Sequence, residues 1–183
     1  MDCFSFSEVR QLLQCAWDRN RKDWLLLCVT FQHALRAHEA VGLTADNVVG
    51  DYLVVQRGKH SKPERAQLEV NDDPLLNERP ALLALCRSTP RKHRLFPIST
   101  RTFQRRVHHY GELAGLSEIL SHPHTLKASL LTHLDANGLS TREIMDISGH
   151  KSLRSLEHYL HSNLTVSREK YRRALRIGSL KKG

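Results

Sequence analysis

The chain has 183 residues, of which 40% are hydrophobic and 26% are charged. This composition is typical of one globular domain and excludes collagen-like, low-complexity and disordered classes. The net charge of +9 favours an extended polyanion as the partner. Because the cations are spread along the chain and not gathered on one amphipathic helix, we favour nucleic acid over an anionic membrane surface.

The sequence shows no sign of a membrane or export segment. No apolar run approaches the ~20 residues that span a bilayer, and the first residues lack the basic and apolar regions of a signal peptide. We therefore expect a cytoplasmic protein, in the bacterial nucleoid or a phage-infected host cell. The cysteines have no metal-binding spacing, so we expect free thiols at Cys3, Cys15, Cys28 and Cys86.

The first part of the chain predicts two helices and a β-hairpin. Apolar residues recur every three or four positions after Ser7, which we expect to cap a helix that reaches about Trp17. A strongly apolar segment at 23–33 predicts a helix deep in the core. Segments 52–56 and 65–70 are β-prone, and the turn between them carries several cations. A hairpin with a basic tip is predicted.

The second part of the chain predicts mainly helices. Helices are expected at about 74–86, 100–114 and 124–137, and Gly138 is expected to end the third of them. Ser140 and Glu143 form the pattern of a capping box that starts a further helix.

These elements predict a mainly α fold with a small antiparallel β-sheet (α+β). No internal repeat or linker-like stretch is visible. We therefore expect a single domain at 1–178, with short helices after position 140 that end near Leu175, and a flexible tail at 179–183.

Three ordered clusters of polar side chains carry the candidate chemistry. Arg36 and Glu39 follow the apolar helix at a spacing that lets them pair on one helical face. His124 and Lys127 lie one helical turn apart. His150, which directly follows Gly149, lies 26 residues after His124. A final phenol, Tyr159, stands nine residues after His150. Taken singly, most of these residues are as readily explained by packing or by a solvated surface.

Taken together, the clusters resemble the catalytic domain of the tyrosine recombinases, the phage integrase family. The arginine box of the family resembles residues 35–39, its HxxR box resembles 124–127, its GH motif is Gly149-His150, and its nucleophile falls at Tyr159. The basic turn at 58–62 is similar to the lysine-bearing hairpin of the family. The resemblance covers about 7–171 and implies the family's fold.

The resemblance implies a role for each residue. Arg36 would clamp the phosphate with two hydrogen bonds, and Tyr159 would attack it. His124 would accept the phenolic proton, and His150 would donate a hydrogen bond to the phosphate. The hairpin lysine of the family, which protonates the leaving 5′-oxygen, carries over to Lys59, with Lys62 as the fallback. No metal or other cofactor is required.

Lys127 departs from the family, which has a second arginine at this position. A planar guanidinium binds two phosphate oxygens, whereas an ammonium is a compact, strongly hydrated point charge. Loss of one transition-state hydrogen bond costs roughly 1 to 3 kcal/mol, or one to two decades in rate. We therefore expect reduced activity.

The resemblance also implies partners. The chain has no room for the helical DNA-clamping domain of longer members, so it resembles the short, fimbrial-switch recombinases or an isolated catalytic fragment. We expect salt-dependent binding to double-stranded DNA, assembly into a homotetramer, and help from a DNA-bending protein. The segment 165–178, with Tyr171, Ala174 and Leu175, would contact a neighbouring protomer or fold back on its own domain.

Three functions remain open at this point. The first is an active site-specific recombinase or integrase. The second is a catalytically silent DNA-binding regulator that kept the fold, which the replacement at Lys127 favours. The third is a topoisomerase-like enzyme that nicks and closes DNA with the same residues.

Overall fold

A computed structural model describes residues 3–57, 63–149 and 153–156, and these ranges contain eight α-helices and a three-stranded sheet. The helices are α1 Phe6–Arg19, α2 Arg21–Gln32, α3 Ala37–Gly42, α4 Arg79–Ser88, α5 Thr100–Leu113, α6 Pro123–Ala136, α7 Thr141–Ser148 and α8 Leu153–Leu156. The strands are β1 Val48–Val49, β2 Tyr52–Val55 and β3 Glu64–Gln67. The predicted fold class, mainly α with a small antiparallel sheet, is confirmed.

The cap of helix α1 lies two residues before the predicted cap at Ser7. The cap is Ser5, whose side chain accepts a hydrogen bond from the Glu8 backbone N–H, while the Glu8 carboxylate accepts one from the Ser5 backbone N–H. This reciprocal pair satisfies two backbone donors that the helix itself leaves unpaired. The prediction missed it because both serines precede the apolar pattern.

Helix α2 forms the centre of the core, as its apolar sequence predicted. Every residue from Asp23 to Phe31 is buried, and the helix packs against α1, α3 and α6. The indole N–H of Trp24 donates to the backbone carbonyl of Leu75 at 2.9 Å, which ties the loop after the sheet to this helix. Because α2 is buried, the turn that follows its C-terminus starts from a fixed position in the core.

The sheet is antiparallel, with β2 between β1 and β3. The predicted hairpin is confirmed: Tyr52 pairs with Gln67 at one end, and Val55 pairs with Glu64 at the other. Most of the segment that joins these two strands, residues 58–62, lies outside the described residues. Strand β1 was not predicted, because two residues are too few to show an alternating pattern.

Helix α4 was predicted to begin at 74 but begins at Arg79. The side chain of Asn71 accepts from the Asp73 backbone N–H, and the Asp73 carboxylate accepts from the Leu75 backbone N–H. These local bonds stabilise turns in place of a helix. The helix then starts beside Pro80, which is favoured in a first turn.

The later helices follow the predictions closely. Helices α5 and α6 lie within one residue of the expected ranges, and Gly138 has a φ of 86° just after α6. The predicted capping box of Ser140 and Glu143 starts α7. The expected helices near Leu175, the segment at 165–178 and the tail lie outside the described residues.

No helix within the described ranges is long and apolar enough to cross a membrane. All four cysteines are free thiols, as predicted. Burial raises the pKa of Cys28 well above its ordinary value and also raises that of Cys86. Both are therefore protonated, and thus weak nucleophiles, near neutral pH.

Candidate active site

Arg36 stands at the start of α3, where a tight turn leaves the end of α2. Ala34 in this turn has a φ of 48°, an uncommon left-handed conformation for a residue with a side chain. The Glu39 carboxylate accepts hydrogen bonds from the Arg36 guanidinium at 3.1 Å and from its backbone N–H at 2.7 Å. The predicted pairing is confirmed. Glu39 is buried, whereas 40% of the Arg36 side chain is exposed and faces outward.

His124 lies in the first turn of α6, directly after His122 and Pro123. Partial burial lowers the pKa of His124, and the neighbouring His122, Lys127 and Arg36 lower it further. The imidazole is therefore neutral at pH 7 and able to accept a proton.

Lys127 lies on the same helix as His124 but deeper. Only 2% of the residue is exposed, and its Nζ donates to the backbone carbonyl of Ser148 at 3.3 Å. Burial lowers the pKa of Lys127 to about 7, and the positive charges of Arg36 and Arg57 contribute to this shift. The two residues that were predicted to share a face thus differ in exposure: His124 faces solvent and Lys127 faces the end of α7.

One surface cavity of about 450 Å³ brings two of the predicted residues together. Its polar lining consists of Arg36, Thr100, Arg101, Gln104, His122 and His124. A second cavity of about 560 Å³ shares Arg101, Gln104 and His122 with it and continues along α5 past Arg105 and His108. The two cavities form a groove rich in basic side chains that begins at Arg36.

Gly149 ends α7 with a φ of 67°, which favours glycine. A methyl group at this position would lie 2.6 Å from both Glu64 carboxylate oxygens and 2.8 Å from Cγ of Arg57. Any other residue here would be strained by the backbone conformation, and the side chains at the hairpin base would have to shift. The GH motif begins at the point where α7 meets the sheet.

Arg57 is the first residue of the predicted hairpin turn, and its burial was not predicted. Its side chain is only 3% exposed, and its guanidinium lies among Glu39, Glu64 and three backbone carbonyls. The available signal was the alternation along β2: Leu53 and Val55 point inward, so the side chain two residues further on also points inward.

Four predicted site positions lie outside the described residues: Lys59, its fallback Lys62, His150 and Tyr159. Of the predicted site, the structure therefore describes Arg36, His124 and Lys127. These three interact closely enough for each cation to lower the pKa of a neighbour. In the part of the chain that the structure describes, no group of His, Cys, Asp or Glu side chains could hold a metal ion.

Comparisons of sequence match this chain to the phage integrase family and to curated tyrosine recombinases. The family model covers residues 3–165. A tyrosine recombinase of Pseudothermotoga lettingae is 28% identical over 90% of this chain and 57% of its own length. The tyrosine recombinase XerD of Corynebacterium glutamicum is 30% identical over 94% of this chain and 61% of its own length. The chain thus spans a little over half the length of these relatives.

Solved structures show the same fold. A XerA recombinase matches with a TM-score of 0.74 at 22% identity, over 95% of this chain and 63% of its own. The catalytic domain of bacteriophage HP1 integrase matches with a TM-score of 0.63 at 20% identity, over 92% and 94% of the two chains. A lambda integrase tetramer bound to a Holliday junction matches with a TM-score of 0.66 at 17% identity, over 88% and 48%.

The family model spans most of the chain, and the ordered motifs from Arg36 to Gly149 lie in a fold shared with recombinase catalytic domains. The chain therefore belongs to the phage integrase family, the tyrosine recombinases.

Proposed function

We propose that this chain is the catalytic part of a site-specific DNA recombinase that cleaves and rejoins DNA through a covalent bond to Tyr159. The observation that carries the proposal is that Arg36 and His124 line one basic groove, with the buried Lys127 close enough to lower the pKa of His124. The tyrosine recombinase relatives and the DNA-bound lambda integrase tetramer support it. Its substrate is double-stranded DNA in the cytoplasm, and its working form is a homotetramer on that DNA.

Arg36 binds the scissile phosphate in this proposal. Attack on a phosphodiester increases the negative charge on its non-bridging oxygens, and a fixed cation lowers the energy of that state. Glu39 fixes the Arg36 guanidinium from the protein side and leaves its outer side to the groove. Because the carboxylate also binds the Arg36 backbone, little reorganisation is needed when the phosphate arrives.

Tyr159 forms the new bond. Its hydroxyl oxygen attacks phosphorus while its proton passes to His124, whose lowered pKa keeps the imidazole ready as a base. The bond between phosphorus and the 5′-oxygen breaks, and Lys59, or Lys62 in its place, gives a proton to that oxygen. The products are a 3′-phosphotyrosine and a free 5′-hydroxyl, and attack by the 5′-hydroxyl of another strand reverses the chemistry. His150 donates a hydrogen bond to the phosphate throughout.

The groove along α5 gives the DNA backbone a path away from the scissile phosphate. Arg101 and Arg105 lie one turn apart on the exposed face of α5, and both line the groove. Phosphate contacts of this kind make binding strongly dependent on salt. A DNA-bending protein would assist assembly on this DNA.

Lys127 supports a second candidate, a DNA-binding relative with little or no cleavage activity. Its ammonium donates to the Ser148 carbonyl and has a pKa of about 7, so a large fraction is uncharged at neutral pH. A neutral, buried amine stabilises a phosphate transition state less than the arginine of the family does. On the main proposal, the same feature reduces the rate by one to two decades.

The experiment is a denaturing-gel assay for a covalent adduct on labelled, nicked DNA taken from the genomic neighbourhood of the gene. Wild type forms an adduct on the main proposal, and Tyr159→Phe forms none. Tyr52→Phe is the matched control, because it makes the same chemical change on strand β2, where the ring stacks on Arg65. Adducts that persist in Tyr159→Phe would overturn the assignment of the nucleophile.

Two further assays on the same proteins, DNA binding and relaxation of a supercoiled plasmid, separate the other functions. Tight DNA binding without an adduct from any of these proteins supports the silent regulator. Relaxation of a supercoiled plasmid by wild type without exchange of strands indicates the topoisomerase-like reaction.

A further inference from the structure

Arg57 makes an unusually complete set of contacts for an arginine outside the predicted site. Its Nε donates to Glu64 at 2.9 Å, one terminal nitrogen donates to the Ala34 carbonyl at 3.0 Å, and the other donates to the His33 carbonyl at 2.7 Å. The Ile147 carbonyl accepts at 3.3 Å and Glu39 lies at 3.5 Å. A guanidinium has five N–H groups; here four hydrogen bonds and an ion pair with Glu39 surround it.

Two of these contacts act on the segment that carries Arg36. The carbonyls of His33 and Ala34 belong to the tight turn between α2 and α3, where Ala34 adopts its left-handed conformation. Glu39 binds Arg57 with the same oxygen that accepts from the Arg36 backbone N–H, and it binds the Arg36 guanidinium with the other. Arg57 therefore fixes the carboxylate that orients Arg36.

The remaining contacts act on the hairpin and on the end of α7. Glu64 is the first residue of β3, across the hairpin from Arg57. The Ile147 carbonyl lies in the last turn of α7, two residues before Gly149. The side chains of Arg57 and Glu64 also pack closely on Gly149, where an added methyl group would lie within 3 Å of both.

We propose that Arg57 is a positioning residue that holds three separate parts of the active site in register: the Arg36 turn, the base of the lysine-bearing hairpin, and the α7 end before His150. The inference that this register serves catalysis rests on the proposed recombinase function; the joining of the three segments does not. The side chain of Arg57 is only 3% exposed, so it acts through these segments and not by touching DNA.

A lysine at this position would keep the charge but not the geometry. An ammonium has three donors in a compact head, whereas the contacts of Arg57 point in five directions. Arg57→Lys is therefore the informative variant, because it tests the fork of donors while preserving a buried cation beside Glu39 and Glu64.

The first measurement is amide hydrogen exchange on the full chain without DNA, comparing wild type, Arg57→Lys and Arg57→Met. Exchange is expected to become about tenfold faster together at the backbone amides of 34–36, 64–66 and 147–149, which corresponds to one decade in the local opening equilibrium. Arg79→Met is the matched control, because Arg79 binds Asp51 through two nitrogens at the surface, at the sheet end away from the hairpin turn. Exchange that accelerates at only one of the three segments in Arg57→Lys would overturn the proposal.

The second measurement separates positioning from DNA contact. Arg57→Lys is expected to slow single-turnover adduct formation by about ten- to hundredfold, the effect of a small misplacement of catalytic groups, with an unchanged Kd for DNA. A Kd that weakens as much as the rate would overturn the proposal. If wild type forms no adduct at all, the recombinase function fails, and the exchange data still decide whether Arg57 joins the three segments.

Discussion

The substitution Lys127→Met tests the burial of the site cation without any assumption about DNA. Methionine has nearly the same length as lysine and no charge, so it occupies the space between α6 and the Ser148 carbonyl. Lys127 has an ordinary pKa of 10.5 and a pKa of about 7 in the folded chain. Between these two values the unfolded chain binds one more proton than the folded chain, and stability therefore increases as pH rises.

The magnitude follows from the two pKa values. The difference between 10.5 and about 7 corresponds to a total of about 5 kcal/mol, of which about 2 kcal/mol is gained between pH 7 and pH 9. Below pH 7 the lysine is protonated in both states, so the burial penalty is present in full and does not change. From pH 7 to pH 9, the free energy of unfolding of wild type should thus increase by about 2 kcal/mol relative to that of Lys127→Met.

The assay is urea unfolding of both proteins at several pH values from 6 to 9, and the quantity of interest is the difference between their free energies of unfolding. Taking the difference cancels the groups that the two proteins share. Two parallel stability curves would refute the reasoning, because they would mean that Lys127 has the same pKa in the folded and unfolded chains. If Lys127→Met instead gains stability relative to wild type as pH rises, the predicted direction of the pKa shift is wrong.

Three further predictions concern the same region. Gly149→Ala should destabilise the chain by about 1–3 kcal/mol in urea unfolding and abolish adducts, because its methyl group meets Glu64 at a positive φ. Ser140→Ala should cost about 1 kcal/mol through the lost cap shared with Glu143 and leave the adduct rate unchanged. DNA binding at pH 8 should take up a proton in wild type and less in Lys127→Met, as calorimetry in buffers of different ionisation enthalpy would show, because a bound phosphate favours charged Lys127.

Periodic and local signals in the sequence were sufficient for most of the fold. The apolar run of α2 and the capping box at Ser140 depend on neighbours within one or two helical turns, so they are visible in the sequence. The predicted start of α4 was wrong because side-chain hydrogen bonds of Asn71 and Asp73 stabilise turns in place of a helix. These turns lead to Leu75, whose carbonyl accepts from the indole of Trp24. That contact joins positions 51 residues apart.

The candidate site was predictable to the extent that it follows family motifs. Arg36 and its bond to Glu39 were found at a spacing of three residues. Arg57 was missed, because its partners come from four segments that only the tertiary fold brings together. The depth of Lys127 was missed for a related reason: the helical pattern gives its direction on α6 but not the carbonyl at the end of α7 that receives it.

The contacts that hold the site divide it into two mechanically different halves. His124 and Lys127 belong to α6, which packs on the buried helix α2. The hairpin base and the α7 end are joined to Arg36 through the charged contacts of Arg57. On the proposed function, heating should therefore abolish adduct formation reversibly, several degrees below the melting temperature.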